Sequence, residues 1–236
     1  AHTQARKNAC INGARYLSLP EYSLDLLDSD SIFASYRGRK IVVDDVADRL
    51  TKSKYIRVTT KQGTDIKLDT TGRVGNSCPG MVEKPGDLGS PPDIEANISP
   101  LEDYSEGIII VDGSIPCPKI GLLEDKVELV VQKGKIVSFF SQNKSLERVL
   151  TQMFLEVKDD KAYILAECGI GLNNKSKLTG NMLTDEGAQG TLHFGFGSNH
   201  TVGGVNKVSF HLDFVIKKPN LWCDEFQCIN NGELYV

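Results

Sequence analysis

The 236-residue chain has no long apolar run; the longest compact one, Gly107-Ile-Ile-Ile-Val111, is far short of a membrane span. It also lacks a Lys/Arg-rich segment. Its 27 basic and 31 acidic residues leave a formal charge of −4, which argues against nucleic-acid binding through bulk positive charge. No CxxC occurs among Cys10, Cys78, Cys117, Cys168, Cys223 and Cys228, so neither a zinc ribbon nor a thioredoxin-like site is supported. The thiols read as reduced, in a cytoplasmic protein. No GxGxxG leads from a strand into a helix, and neither GxSxG nor a P-loop is present, so the common dinucleotide, serine-hydrolase and phosphate-cradle motifs are not indicated. No signal-peptide pattern opens the chain; it begins at Ala1 without Met, which reads as a processed or excerpted piece.

Short alternating segments dominate what is present. Tyr55–Thr60 and Thr64–Asp69 flank Gln62-Gly63, and Lys126–Val131 and Lys135–Phe140 flank a turn at Lys133-Gly134; both read as hairpins. Arg15–Leu19, Gly107–Val111, Ala162–Glu167, Gly190–Phe196, Val205–Ile216 and Asn220–Cys228 read as further strands. Helices are expected at the N-terminus, with Thr3 as cap, over 40–52 with Ile41, Val42, Val46 and Leu50 on one stripe, and over 145–154. The stretch from Asn76 to Pro92 has no periodicity and reads as a functional loop. Together these predict one α+β domain over residues 1–236, a strand-dominated curved antiparallel or mixed sheet, or partial barrel, with a few flanking helices.

Histidine occurs only four times, and three of the four lie within nineteen residues: His193, His200 and His211. Residues i and i+2 of a strand share a face, so His211 and Asp213 stand side by side while Phe210, Leu212 and Phe214 face the other way. A carboxylate and an imidazole in apolar surroundings need compensation, either from each other or from a divalent cation that His193 could also reach. Glu167, followed by Cys168-Gly-Ile-Gly171, is placed at a strand end beside glycine turns, where it can face a cavity. Taken alone, Glu95 reads as an ordinary loop acid, Asp185-Glu186 as a solvated turn, and His2 as a terminal surface residue.

In order along the chain, Ile94-Glu95, Pro100, Glu106-Gly107, Asp112-Gly-Ser-Ile115, Ala166-Glu-Cys-Gly-Ile-Gly-Leu-Asn173, Thr179-Gly-Asn-Met-Leu183, Gly190-Thr-Leu-His193 and His211-Leu-Asp213 resemble the thermophilic aminopeptidase T family of metallopeptidases, with the related 2,5-dihydroxypyridine dioxygenases. The resemblance implies a metal site on Glu95, Glu167, His193, His211 and Asp213. In the peptidase reading two zinc, cobalt or manganese ions share Glu167 as a bridging catalytic carboxylate and activate a water against a peptide. His200 stands near the place of the peptidases' active-site tyrosine and is the second catalytic candidate. In the oxygenase reading His193, His211 and Asp213 hold one Fe(II), with Glu95 and Glu167 beside them, and the substrate is a hydroxypyridine-type aromatic. A third reading is a non-catalytic binding module that keeps the fold. The peptidase reading is the leading expectation because five positions match rather than three. The resemblance further implies a homodimer acting on a peptide or small molecule, with no nucleic-acid or membrane partner, and an N-terminal α/β domain that this segment does not contain.

Overall fold

Two-residue alternation decides the architecture. The computed structural model describes residues 4–235, so Thr3 and His2 lie outside the described residues. Seven strands build the sheet that carries the site: β1 (Asn76–Cys78), β2 (Glu95–Ile98), β3 (Ser114–Ile115), β4 (Gly121–Leu122), β5 (Leu165–Gly171), β6 (Thr191–Gly197) and β7 (His211–Lys217). Their order is β1-β2-β5-β6-β7-β3-β4, every neighbouring pair antiparallel.

A second sheet of eight strands runs in the order Lys135–Ser141, Val127–Gln132, Glu106–Val111, Asp65–Asp69, Tyr55–Thr59, Asn220–Cys223, Phe226–Asn230, Glu233–Leu234. Both expected hairpins form. Lys133 and Gly134 have φ of 48° and 71°, the paired positive values of a tight turn whose twist suits the flanking strands. A small parallel pair, Tyr16–Leu17 with Leu88–Gly89, completes the strands. The sheets stay open and the class is α+β, as expected.

One apolar cluster joins the sheets. Ile56, Val58, Ile66, Leu68, Val127 and Leu129 come from the second sheet, and Ala96, Ile98, Cys168, Ile170, Phe194 and Phe214 from the first. Phe196 meets Phe214 edge-on at 5.5 Å between ring centroids. Burying each such ring contributes about 1.5–3 kcal/mol. Helices α1 (Gln4–Ile11), α2 (Tyr36–Lys52) and α3 (Lys144–Val157) flank the sheets, with short helical turns at Leu24–Leu27 and Met182–Asp185. The α3 helix starts at Asn143, whose side chain accepts from the Ser145 and Leu146 N–H groups. Among the described residues no helix is long and apolar enough to cross a membrane, and all six cysteines are free.

The structure corrects several sequence expectations. The α2 helix begins at Tyr36 rather than Lys40, and its buried stripe is Val43, Val46, Ala47 and Leu50; Ile41 is 67% exposed. The 76–92 stretch contains β1 and the Leu88–Gly89 strand rather than being wholly loop. Glu106–Val111 buries only one face, through Ile109 and Val111, while Glu106 and Ile108 are exposed. Residues 160–163 form a 3-10 turn, so the strand bearing Glu167 starts at Leu165 and runs on through Gly171. The Val205–Ile216 segment is a strand only from His211.

Candidate metal centre

Each central strand of the site sheet buries one face in the core and turns a polar, glycine-rich face outward. Ala96, Cys168, Phe194, Leu212 and Phe214 fill the core, so strand alternation puts Glu95 and Asn97, Glu167 and Gly169, His193 and Gly195, and His211 and Asp213 on the opposite side. Cross-strand register then brings them together: Gly169 lies opposite His193, Glu167 opposite Gly195, and Gly195 opposite Asp213. Glycine is required at the crossings. A Cβ on Gly169 would lie 2.1 Å from His193 Nε2, and one on Gly195 would lie 2.7 Å from His211 Nε2 and 2.8 Å from Asp213 Oδ1. Glu167 is therefore mid-strand, not at a strand end; of the glycines after it, Gly169 makes room for the His193 imidazole and Gly171 for the Ala188 backbone, and neither forms a turn.

All five expected ligand positions converge. The donor atoms of Glu95, Glu167 and His193 lie within 4.8 Å of one another, as do those of Glu167, His211 and Asp213, so Glu167 belongs to both sets. His193 Nε2 is 3.2 Å from Glu95 Oε2, and His211 Nε2 is 3.2 Å from Asp213 Oδ1 and 3.5 Å from Glu167 Oε2. His211 Nδ1 pairs with the Ser198 carbonyl at 2.9 Å; this bond fixes the N–H at Nδ1 and turns Nε2 toward the acids. His200 is not part of the cluster. It is exposed on the β6–β7 loop, its Nδ1 2.8 Å from Ser198 Oγ.

Asp93, which the sequence does not single out, and Glu186, which it assigns with Asp185 to a solvated turn, both line the same cavity of ≈ 440 Å³. Asp185, by contrast, is fully buried and structural: it accepts from the Thr179 and Gly180 N–H groups and from the Ser114 hydroxyl. A larger cleft of ≈ 980 Å³, lined by His200, Lys207 and Phe210, opens beside this cavity, and Pro20, Met182, His211 and Asp213 border both.

Burial dominates the electrostatics. It pushes the Glu167 carboxyl up to about 7, with His211 opposing and Asp213 adding. It drives His193 down to about 4, so that ring is neutral at pH 7. Burial also works against charge on His211, but Asp213 and Glu167 outweigh it and lift the ring to about 10. Asp213, despite its burial, is held below the usual carboxylate range by His211. Asp93, Glu95 and Glu186 are raised well above theirs, by burial first and then by neighbouring acids.

Asp93 Oδ1 and Glu95 Oε2 are buried without a hydrogen bond. Unpaired carboxyl oxygens, a neutral imidazole and an imidazolium whose proton sits between two acids make a set that a divalent cation would satisfy. Oxygen and imidazole donors without thiolate suit Fe(II) as well as zinc.

The family model described as 2,5-dihydroxypyridine 5,6-dioxygenase (NicX) matches residues 1–236. A curated Pseudomonas putida KT2440 protein named 2,5-dihydroxypyridine 5,6-dioxygenase is 23% identical over an alignment of 195 residues that covers 78% of this chain and 55% of that protein. The chain thus spans about half the length of that curated relative. The solved structure of 2,5-dihydroxypyridine dioxygenase from Pseudomonas putida KT2440 aligns with TM-score 0.86 at 21% identity, covering 100% of this chain and 69% of the other. Wild-type AmpT from Thermus thermophilus aligns with TM-score 0.67 at 16% identity, covering 90% and 58%. These structural likenesses carry the fold. The peptidase expectation is thereby corrected: the match along the whole chain is to a dioxygenase family, so hydrolase, aminopeptidase and metalloprotease are withdrawn as descriptions of this protein.

Proposed function

The chain belongs to the 2,5-dihydroxypyridine 5,6-dioxygenase family, and on that premise we propose that it is an Fe(II)-dependent, ring-cleaving dioxygenase acting on a hydroxypyridine. The observation that supports this best is the pair of donor sets, each one imidazole with two carboxylates, that share Glu167 on the outward face of one sheet, beside a cleft large enough for an aromatic ring. His193, His211 and Asp213 would hold the ion, with Glu95 and Glu167 as the adjoining acids. Fe(II), when bound, supplies the redox chemistry that lets O₂ react with an aromatic ring.

The chain's own residues prepare that reaction. Ser198 O holds His211 Nδ1–H, so Nε2 is the nitrogen presented for ligation, and the proton it carries without metal leaves on binding. Asn97 donates to Glu95 Oε1 at 2.7 Å and keeps that acid turned into the cavity. His200, at the cleft wall with Nδ1 against Ser198 Oγ, has Nε2 as its second ring nitrogen; there it takes the proton of a substrate hydroxyl, which makes the ring more electron-rich. Pro116 and Phe210 give the cleft an apolar border against which an aromatic ring would pack.

Anaerobic loading with Fe(II), followed by oxygen uptake on 2,5-dihydroxypyridine, tests this reading. One iron per chain and one O₂ consumed per ring opened are expected. Full iron loading with no oxygen uptake on hydroxypyridines would sink it.

A further inference from the structure

The loop between β6 and β7 carries His200 at its surface and the Ser198 carbonyl that orients His211, yet it contains Gly203 and Gly204 and no regular structure. A chain segment of that composition holds one conformation only if something pins it. Here the pin is polar and buried. Asn199 is fully buried between Ser198 and His200. Its Nδ2 donates to Glu102 Oε1 and to Ser99 Oγ, both at 2.9 Å, and its Oδ1 accepts from Asn206 N–H at 2.7 Å. Glu102 Oε1 also accepts from Val205 N–H at 2.8 Å.

Arg73 completes the device from the far side. Its guanidinium pairs with Glu102 Oε2 while Nη1 donates to the Gly203 carbonyl at 2.6 Å. The side chains of this ion pair are only 11% and 13% exposed, so solvent screens it little. A second tether joins the loop to the other half of the acid cluster: Asn76 Nδ2 donates to Val202 O at 3.0 Å and to Asn97 Oδ1 at 2.8 Å, and Asn97 in turn donates to Glu95. The loop is also cut to this arrangement, since a Cβ on Gly204 would lie 2.0 Å from the Asn199 side chain.

We propose that Arg73, Glu102 and Asn199 form a positioning clamp that sets where His200 and the Ser198 carbonyl stand. None of the three belongs to the donor sets around Glu167; they act through the two groups they place. The assignment of a proton-handling role to His200 rests on the dioxygenase reading, whereas the placement of its ring does not. A displacement of about 1 Å in a group that meets the substrate costs up to about a hundredfold in rate.

Arg73→Met and Asn199→Ala remove the clamp from its two ends; Arg73→Lys keeps the charge. Long-range ¹H–¹⁵N spectra of the histidine rings, recorded on the full chain with His200 assigned by its loss in His200→Ala, read the placement directly. In the parent chain His200 is expected in one fixed tautomer, and in Arg73→Met and Asn199→Ala as an average of two, with Arg73→Lys close to the parent. In the iron-loaded enzyme the same two variants should lose about tenfold or more in kcat, with KM changed less than about twofold and iron content unaltered. Adding His200→Ala to Arg73→Met should then cost little more, because the residue is already misplaced. An unchanged His200 spectrum in Arg73→Met, or a His200→Ala loss of equal size in both backgrounds, would overturn the clamp. A parent chain that loads iron but consumes no oxygen would overturn the dioxygenase reading alone, and the histidine spectra would still decide the clamp. If Asn199→Ala fails to fold, Arg73→Met at the loop's outer end decides the outcome by itself.

Discussion

Gly169 and His193 face each other across the β5–β6 ladder, with the imidazole lying over the glycine so closely that a Cβ there would stand 2.1 Å from two ring atoms. The ring has no alternative berth on that side, because Glu95 Oε2 would itself lie 3.0 Å from the same Cβ. Gly169→Ala should therefore eject His193 from the cluster while leaving the strand's apolar face intact. The expected result is a folded chain that retains less than about a tenth of the parent's iron after desalting. Elemental analysis beside a thermal melt separates loss of metal from loss of fold.

The pH dependence of the metal-free chain follows from His211. The ring titrates near 6.5 when unfolded and at about 10 when folded, because Asp213 and Glu167 outweigh its burial. The folded state thus binds the extra proton between those values. Its stabilising contribution is complete below pH 6.5 and is lost as pH rises toward 10. Glu167, raised from 4.5 to about 7, acts in the same direction at lower pH. His193, lowered from 6.5 to about 4, gains stability as pH rises over that range and offsets Glu167 there. Above pH 6.5 His211 and the raised carboxyls of Asp93, Glu95 and Glu186 act in the same direction, and the His211 shift alone should cost chelator-treated protein on the order of 5 kcal/mol by pH 10. Metal takes the place of that proton, so loaded protein should show a flatter profile. Denaturant melts with and without chelator provide the check; stability that rises through this window in chelator would contradict the geometry.

What was legible in the sequence is what depends on local periodicity. The pairing of His211 with Asp213 follows from the two-residue repeat of a strand, and both hairpins from their Gly-containing turns. The position of Glu167 within its strand was misread because Gly169 and Gly171 look like turn residues, whereas here they make room, one for the His193 ring and the other for the backbone of Ala188. Asp93 carries no local signal, and Glu186 shows locally only as half of an acidic pair in a turn. Asp93 precedes β2 and Glu186 follows a one-turn helix, so no period links them to the site, and only the folded chain brings them to the cavity that Glu95 lines. The stripe on α2 is shifted from the expected one because Ile41 is as apolar as Val43, and which of two apolar residues in the same turn is buried depends on where the helix axis meets the sheet.

The ligand assignment makes a graded prediction. If His193, His211 and Asp213 hold the iron, then His193→Ala and Asp213→Asn should each weaken Fe(II) binding by a hundredfold or more, on the order of 3 kcal/mol. Glu95→Gln should be milder: the amide still occupies the cavity and keeps a carbonyl oxygen, so a loss of about tenfold or less is expected. Anaerobic titration with Fe(II) measures all three. Glu95→Gln as damaging as Asp213→Asn would place the ion in the Glu95–Glu167–His193 set instead.

Adjacent acids in the 185–186 turn should separate cleanly into stability and site. Asp185 receives the Thr179 and Gly180 N–H groups at 2.7 and 2.9 Å, the Ser114 hydroxyl at 2.6 Å and the Thr184 hydroxyl at 3.0 Å. Removing the acceptor leaves several buried donors unpaired, each costing about 1–3 kcal/mol. Asp185→Ala should therefore lower the unfolding free energy by at least about 3 kcal/mol, with iron per folded chain unchanged. Glu186 makes the opposite contribution: its carboxyl is raised by burial and by Asp213, Asp93 and Glu95, so ionising it costs stability rather than adding any. Glu186→Gln removes that repulsion and should leave the melt unchanged or raised at pH 8, while shifting Fe(II) affinity because its side chain faces Asp213. Urea melts and metal titrations on the two variants decide the matter; a Glu186→Gln chain less stable than Asp185→Ala would mean that the roles are reversed.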